Sequence, residues 1–335
     1  MSDRTVTLTL PEATTLATSA LLRAGASEAL ARSLARAVVD AEAAGKQAIG
    51  LAHLPDYLDA LACGRIDGDA EPLITSPIPA LVRCDCRGGI AQLGFDRAFD
   101  DLVAKASSFG VTLYASQNSF TTGELGWYAV RLAEAGLVAL AATNGPALIA
   151  GGGSRKPIYC TNPLAFAAPR ADGPPLLIDQ ASSATAFVKV RQAAERDEPI
   201  PEGWALDADG NPTTDPQAAI GGALLAFGGA RGANIALMVE VLAAGLTGAN
   251  WSLDAPDFRA GSDNPGAGLL IIAIAPQLVA GDFESRLARQ LKRLSRDYGV
   301  HVPGEARQSA RQRADSAGIT LPVALFDSIT SFRRR

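Results

Sequence analysis

The chain has 335 residues, 48% of them apolar and 19% charged, with 35 acidic and 30 basic side chains for a formal net charge of −5. That length and apolar share bury a sizeable core, as one large α/β domain or about two domains, and exclude a disordered chain. The acidic balance gives no general field for a polyanion, since the one basic run is Arg333-Arg334-Arg335, so nucleic acid is excluded as an expected partner.

Residues 1–10 hold no apolar signal core, and apolar runs such as 269–275 fall far short of the roughly 20 residues that cross a bilayer. A cytoplasmic protein with no membrane partner is expected. Ser27 and Glu28 supply an N-cap and acidic first turn, and Leu30, Leu34, Val38 and Ala41 recur at helical spacing up to Gly45. A second amphipathic stretch sets Leu51, Leu54, Leu58 and Leu61 on one face and stops at Gly64. Residues 67–79, rich in Pro, Asp and Gly, read as a crossing connection. From Ala80 onward, β-type runs at 111–115, 138–143, 164–168, 176–179 and 269–275 alternate with helices such as 124–135, which predicts an α/β sheet layer. Residues 199–216 read as a turn-rich surface loop, 234–246 and 283–298 as helices, and Val302-Pro303-Gly304-Glu305 opens a final charged helix to about Ser316.

The cysteines, Cys63, Cys84, Cys86 and Cys160, match no zinc or disulfide spacing and read as buried thiols; no metal is expected. With His53 and His301 the only histidines, most Ser/His/Asp schemes fall away. Three polar stretches can carry chemistry. Gly228-Gly229-Ala230-Arg231 before a helix is either an anion site or a tight turn needing positive φ. Gln117 to Glu124 lies between a strand and a helix, either a ligand mouth or an N-cap through Thr121 or Thr122. Cys160-Thr161-Asn162-Pro163 and Asp179-Gln180-Ala181-Ser182-Ser183 end β-type runs, as ligands or as turn makers. His53 falls off the strongest apolar line, a partly exposed imidazole able to titrate or to cap. No G-x-G-x-x-G follows a strand, so a Rossmann domain has no support.

Taken together, Gly50-Leu51-Ala52-His53-Leu54-Pro55-Asp56-Tyr57, Gly126-Trp127-Tyr128, Thr161-Asn162-Pro163-Leu164-Ala165, Ile200-Pro201-Glu202-Gly203-Trp204-Ala205-Leu206-Asp207, Pro212-Thr213-Thr214-Asp215-Pro216, Leu237-Met238-Val239-Glu240 and Pro303-Gly304-Glu305 resemble the malate/L-lactate dehydrogenase superfamily, in order over almost the whole chain. The resemblance implies an α/β fold with a mixed sheet, flanking helices and a non-Rossmann nicotinamide-binding domain. With the element pattern above, it divides the chain into a helical N-terminal region (1–75), read from the two amphipathic stretches, a cofactor- and substrate-binding region (76–300) and a C-terminal helical segment (301–335) returning to the cofactor site. It implies a homodimer with the active site near the interface. Cofactor contacts would fall on Thr121, Thr122, Gly123, Glu124, Leu125, on Asp179, Gln180, Ala181, on Ala230 and Arg231, and on the stretch with Glu305, Arg307 and Arg311. The last two arginines favour NADPH over NADH, because a ribose 2′-phosphate wants cations. Thr161 would face a small-molecule substrate.

The family's Ser-His pair, whose histidine moves the proton, is matched here by Ala48-Ile49; the arginine that grips the substrate carboxylate is matched by His53. A further histidine of the cofactor loop is matched by Thr121, and the usual Arg-Gly and supporting Asp by Phe187, Val188 and Lys189. A C=N bond is protonated near neutral pH more readily than a carbonyl and needs less acid catalysis. Ala48, Ile49 and Phe187 suit an apolar ring, with Val188 a further substrate-binding candidate, so the expected activity is reduction of a cyclic imino acid, Δ1-piperideine- or Δ1-pyrroline-2-carboxylate, to the L-amino acid, with His53 and Lys189 as catalytic groups. A 2-hydroxy acid dehydrogenase of sulfolactate, malate or lactate type, using Lys189, His53 and Lys46 against two anions, is the second reading. A silent cofactor- or metabolite-binding protein is the third.

Overall fold

The computed structural model describes residues 4–333, so Arg334 and Arg335 of the basic run and the first three residues of the 1–10 stretch lie outside the described residues. Strand β1 (Thr5–Leu8) leads into helix α1 (Leu10–Ala24), where Thr9 and Glu12 form a reciprocal capping box. Ser27 caps α2 (Glu28–Ala43) by accepting from the Leu30 amide, as the sequence predicts, and two short 3-10 turns carry the chain to α3 (Leu54–Ala62). Residues 67–79 correct the reading as a plain connection. They contain β2 (Leu73–Ile78), which pairs antiparallel with β3 (Leu81–Asp85). The strand lies at the sheet edge, where Pro77 costs no ladder bond, and the prolines hide the strand from pattern reading.

Helix α4 (Ala91–Phe109) and α5 (Leu125–Glu134) flank β4 (Val111–Ser119), and β5 (Val138–Thr143) follows. Strand β4 runs four residues past the predicted end, because its polar end is satisfied sideways: Asn118 donates to Asp85 at 3.0 Å and Ser119 to the Ala267 carbonyl at 2.9 Å. Strands β6 (Ile149–Ala150), β7 (Pro157–Tyr159), β8 (Leu164–Ala168) and β9 (Leu176–Gln180) come next, then α6 (Phe187–Arg196). The 199–216 loop holds a small hairpin of β10 (Ala205–Leu206) and β11 (Pro212–Thr213), followed by α7 (Pro216–Ile220) and β12 (Ala223–Leu224). Helix α8 (Ala230–Glu240) starts earlier than residue 234 and passes into a π-helical turn, Val241–Gly245. Strand β13 (Ala267–Ile274), α9 (Phe283–Tyr298), α10 (Glu305–Ala317), β14 (Ile319–Pro322) and α11 (Val323–Ser331) complete the described chain.

A seven-stranded sheet, ordered β2-β3-β4-β13-β5-β8-β9, is mixed: β3 and β4 run parallel, every other pair antiparallel. Its core packs Phe95, Tyr114, Trp127 and Tyr128 between the sheet, α4 and α5. A five-stranded sheet, β11-β10-β12-β6-β7, has its own small core with Val190 of α6 and Ala236 of α8. The two ends of the chain meet. Strand β1 pairs with β14 from Thr5↔Pro322 to Leu8↔Ile319, and Arg23 donates to the Ile329 carbonyl at 3.1 Å. This fastens α10 against α2 and the helical core around Leu30, Leu34 and Tyr57. Cys84, Cys86 and Cys160 are buried free thiols, whereas Cys63, in the turn that ends α3, is exposed, which corrects the expectation of four buried ones.

Candidate active site

The turn 45–53, between α2 and α3, is set by one buried carboxylate. Glu42 accepts from the Leu51 amide at 2.9 Å, and a Cβ at Gly50 would stand 2.4 Å from Glu42 Oε2, so only glycine admits this approach. The turn carries Lys46, exposed Ala48, half-buried Ile49 and, at its end, His53. Gly45 at its start lies against Ala310, which brings α10 to the turn.

Four segments then converge. The 121–125 loop is held from below: the Thr122 carbonyl accepts from Gln92 at 3.0 Å and from the Tyr128 hydroxyl at 2.8 Å. Thr122, Glu124 and Leu125 are buried, and Thr121 and Gly123 half-buried. Neither threonine caps α5, which correct the N-cap alternative; Glu124 occupies that position with no side-chain bond. One Glu124 carboxylate oxygen takes the Arg307 guanidinium of α10, while Oε2 is buried with no protein partner. Asp179, at the end of β9, accepts from the Gly126 amide at 3.2 Å, in the first turn of α5. Burial pushes the carboxyls of both Glu124 and Asp179 up, against the charges of Arg307 and Lys46, which act on both groups. The structure thus brings together the 121–125 loop, Asp179, Arg307 and Lys46.

From Asp179 the chain continues through exposed Gln180 and half-buried Ala181 to Ser182, whose amide donates to the Thr161 carbonyl at 2.8 Å and whose carbonyl accepts from Phe227 at 3.0 Å. Thr161, Ala181 and the Gly228-Gly229 turn are therefore neighbours. Both glycines have positive φ, 56° and 63°, so the turn reading holds, and Ala230 and Arg231 follow exposed at the start of α8. Glu305 points elsewhere, to Arg170 at 3.5 Å.

A cavity of about 340 Å³ opens among α2, α5 and α10, lined by Asp40, Trp127, Leu177, Arg307, Gln308 and Arg311. Arg311 is tied to Asp40 at 2.6 Å, and Asp40 also accepts from the Trp127 indole at 3.0 Å. A larger groove of about 670 Å³ among α1, α2 and α4 contains, of the predicted site, only Arg311. Its other arginines are engaged by Glu28, Glu71 and Asp96.

His53 is paired through Nδ1 with Asp56 Oδ2 at 2.9 Å, and the edge of Tyr57 packs on its ring at 4.9 Å between centroids. Tyr57 in turn lies under the 121–125 loop, its hydroxyl 3.4 Å from where a Cβ at Gly123 would stand, which links His53 to that loop. Of the residues on α6, Phe187 packs into the small core and Val188 is half-buried. Lys189 is exposed, whereas Arg191 is half-buried and its charge helps hold the Asp56 carboxyl low, after the hydrogen bond and charge of His53 and the charge of Arg259. Neither cation has an ion-pair partner among the described residues. Arg191 and Arg259 lie outside the matching motifs, and Asp56 and Glu240 lie inside them with no role assigned from sequence; the i, i+3 spacing of His53 and Asp56 on a helix start was the one local signal.

The chain belongs to the malate/L-lactate dehydrogenase family, whose model matches residues 8–330. It is 41% identical to a Δ1-pyrroline-2-carboxylate/Δ1-piperideine-2-carboxylate reductase of Pseudomonas putida over 89% of each chain. It is 37% identical to an NADP(+)-dependent (2R)-3-sulfolactate dehydrogenase of Chromohalobacter salexigens over 97% of each. Among solved structures it superposes on a Δ1-piperideine-2-carboxylate reductase from Pseudomonas syringae with a TM-score of 0.93 and 36% identity, covering 97% of this chain and 99% of the other. The non-Rossmann mixed α/β fold expected from the sequence is thereby borne out.

Proposed function

We propose that this protein is an NADPH-dependent reductase of small cyclic imino acids, acting on Δ1-pyrroline- or Δ1-piperideine-2-carboxylate to give the L-amino acid. The observation that carries the reading is that uncharged Ala48, Ile49, Phe187 and Val188 stand where the resemblance expects the family's relay groups, with one imidazole, His53, at the end of the 45–53 turn. An apolar ring bearing one carboxylate matches those side chains, and the Pseudomonas relatives act on such rings by name.

The residues present fit a nicotinamide dinucleotide. Glu124 Oε2, buried and unpartnered, is an acceptor for a hydroxyl or amide donor, and Arg307, Lys46 and exposed Arg231 supply cations for phosphates. The 121–125 loop with Asp179, Gln180 and Ala181 would hold the reactive half, and Arg307 and Arg311 at the 340 Å³ cavity the adenosine phosphate. When bound, NADPH supplies the hydride that adds to the imine carbon. The protein's own groups do the rest: His53 gives or relays the proton that keeps the ring nitrogen an iminium, Thr161 faces the substrate, and Lys189 with Arg191 takes its carboxylate. The exposed apolar stripe of Leu237 and Met238 on α8 and Val241 on the π-helical turn, continued by Leu246, suits a second copy of the chain, giving a homodimer. The free thiols of Cys84 and Cys86 suit a reducing cytoplasm.

The test is consumption of NADPH by the purified protein with Δ1-piperideine-2-carboxylate, Δ1-pyrroline-2-carboxylate, pyruvate, oxaloacetate and sulfopyruvate offered separately. Turnover confined to the cyclic imines supports the reading; turnover of oxo acids alone replaces it with a hydroxy acid dehydrogenase. Cofactor binding without any turnover replaces it with a binding protein.

A further inference from the structure

We propose that Asp56 is a positioning residue that fixes His53 in the tautomer carrying its proton on Nδ1, with Arg259 as the second group clamping the Asp56 carboxylate. The inference rests on the reading above in taking His53 as the proton-transferring group, and it concerns residues outside the family's own relay positions. The His53 Nδ1–H donates to Asp56 Oδ2 at 2.9 Å, and Arg259 reaches the same oxygen at 3.4 Å. With Nδ1 committed, Nε2 is the one ring nitrogen left to accept or release a proton.

A surface pair at i, i+3 would normally exchange partners with water, but here each member is braced. The imidazole is 29% exposed and packs edge to face on Tyr57, with an interplanar angle of 75°. Arg259 arrives from 203 residues away in the chain. The segment that brings it is pinned: Arg65 donates to the carbonyls of Arg259 at 3.1 Å and Gly261 at 3.0 Å. Phe258 packs on Phe120 and Phe120 on Tyr57, with centroids 5.9 and 6.1 Å apart. An aromatic file therefore runs from Phe258 to His53, holding the imidazole and the clamp of its carboxylate in one frame. Asp56 stays ionised in that frame, since the His53 hydrogen bond and the charges of His53, Arg259 and Arg191 hold its carboxyl below the ordinary range.

The chain has two histidines, so long-range proton–nitrogen spectra of the imidazoles resolve both, and His301→Gln assigns them. The expected result is an Nδ1–H tautomer for His53 that shifts toward Nε2–H in Asp56→Ala. In the same variant kcat for the imine falls about tenfold or more while KM changes about twofold at most. Asp56→Glu, which keeps a carboxylate in reach, restores the tautomer and most of kcat. A wild-type His53 protonated on Nε2, a tautomer unmoved in Asp56→Ala, or an unchanged kcat overturns the proposal. Should the protein reduce no cyclic imine, the functional reading fails, while the tautomer still decides whether Asp56 orients His53.

Discussion

Glu240 at the end of α8 accepts from Asn162 Nδ2 at 2.7 Å, tying that helix to the corner that carries Thr161. Asn162 holds a left-handed backbone, φ 35°, and the same carboxylate accepts from the Ser252 amide at 2.6 Å and hydroxyl at 2.8 Å. All of these groups are buried. Removing the carboxylate leaves buried donors unpaired, at about 1–3 kcal/mol each. Glu240→Ala is therefore expected to lose about 3 kcal/mol or more in denaturant unfolding, and a loss under about 1 kcal/mol contradicts this account.

Lys189 and Arg191 stand two residues apart on α6, about 200° round the helix from one another, so one substrate carboxylate meets one of them more directly. Because Arg191 is half-buried and acts on Asp56, Arg191→Ala is expected to raise KM for the imino acid roughly tenfold to a hundredfold, with a smaller effect from Lys189→Ala. Steady-state kinetics of the two variants, with no effect from Arg191→Ala, would assign the grip to Lys189.

Burial raises the carboxyls of Glu42, Glu124 and Asp179. Between the ordinary carboxylate value and the raised folded value, the native state binds more protons than the unfolded chain, so these groups make stability fall as pH rises through that window. Asp56, lowered, has the opposite sign: its contribution is present above the ordinary value and lost as pH falls through its folded value. Glu124→Gln, which cannot titrate, is expected to show a shallower decline in melting temperature than the wild type as pH rises above the ordinary carboxylate value. Parallel curves would refute it.

Arg311 lines the 340 Å³ cavity and is held by Asp40. Arg311→Ala is expected to raise KM for NADPH about tenfold while leaving KM for NADH nearly unchanged, since only the former carries the 2′-phosphate. Equal losses with both cofactors would place the phosphate elsewhere.

Leu237 on α8 and Val241 at the start of the π-helical turn are each 47% exposed. A paired Leu237→Glu, Val241→Glu variant is expected to sediment as a monomer where the wild type sediments as a dimer, charge being costly at the centre of an apolar interface. A wild-type monomer refutes the proposed assembly.

Periodicity carried α2, α3, α5 and α9, whose apolar residues recur at helical spacing whether the helix buries most of its residues, as α5 does, or Leu291 alone, as α9 does. It missed α4, whose run through Gln92, Gly94 and Asp96 buries polar and small residues as well as Phe95 and Leu102. It also missed α6, which buries only Val190 fully and is otherwise polar. The pairing of β1 with β14 joins residues more than 300 positions apart, and no local pattern encodes that. The resemblance pointed to Glu124, Asp179 and Arg307, and the structure brings these three charged groups together. Asp56 and Arg259 were not legible in the sequence, because their meeting depends on how the 255–261 segment folds back over α3.

The most direct test of the central claim is the ratio of kcat/KM for Δ1-piperideine-2-carboxylate to that for sulfopyruvate, with NADPH and the wild-type protein. With uncharged Ala48, Ile49, Phe187 and Val188 at the positions proposed to meet the substrate, the cyclic imine is predicted to be favoured by about tenfold or more. A ratio below one would contradict it and make the chain a dehydrogenase of anionic hydroxy acids.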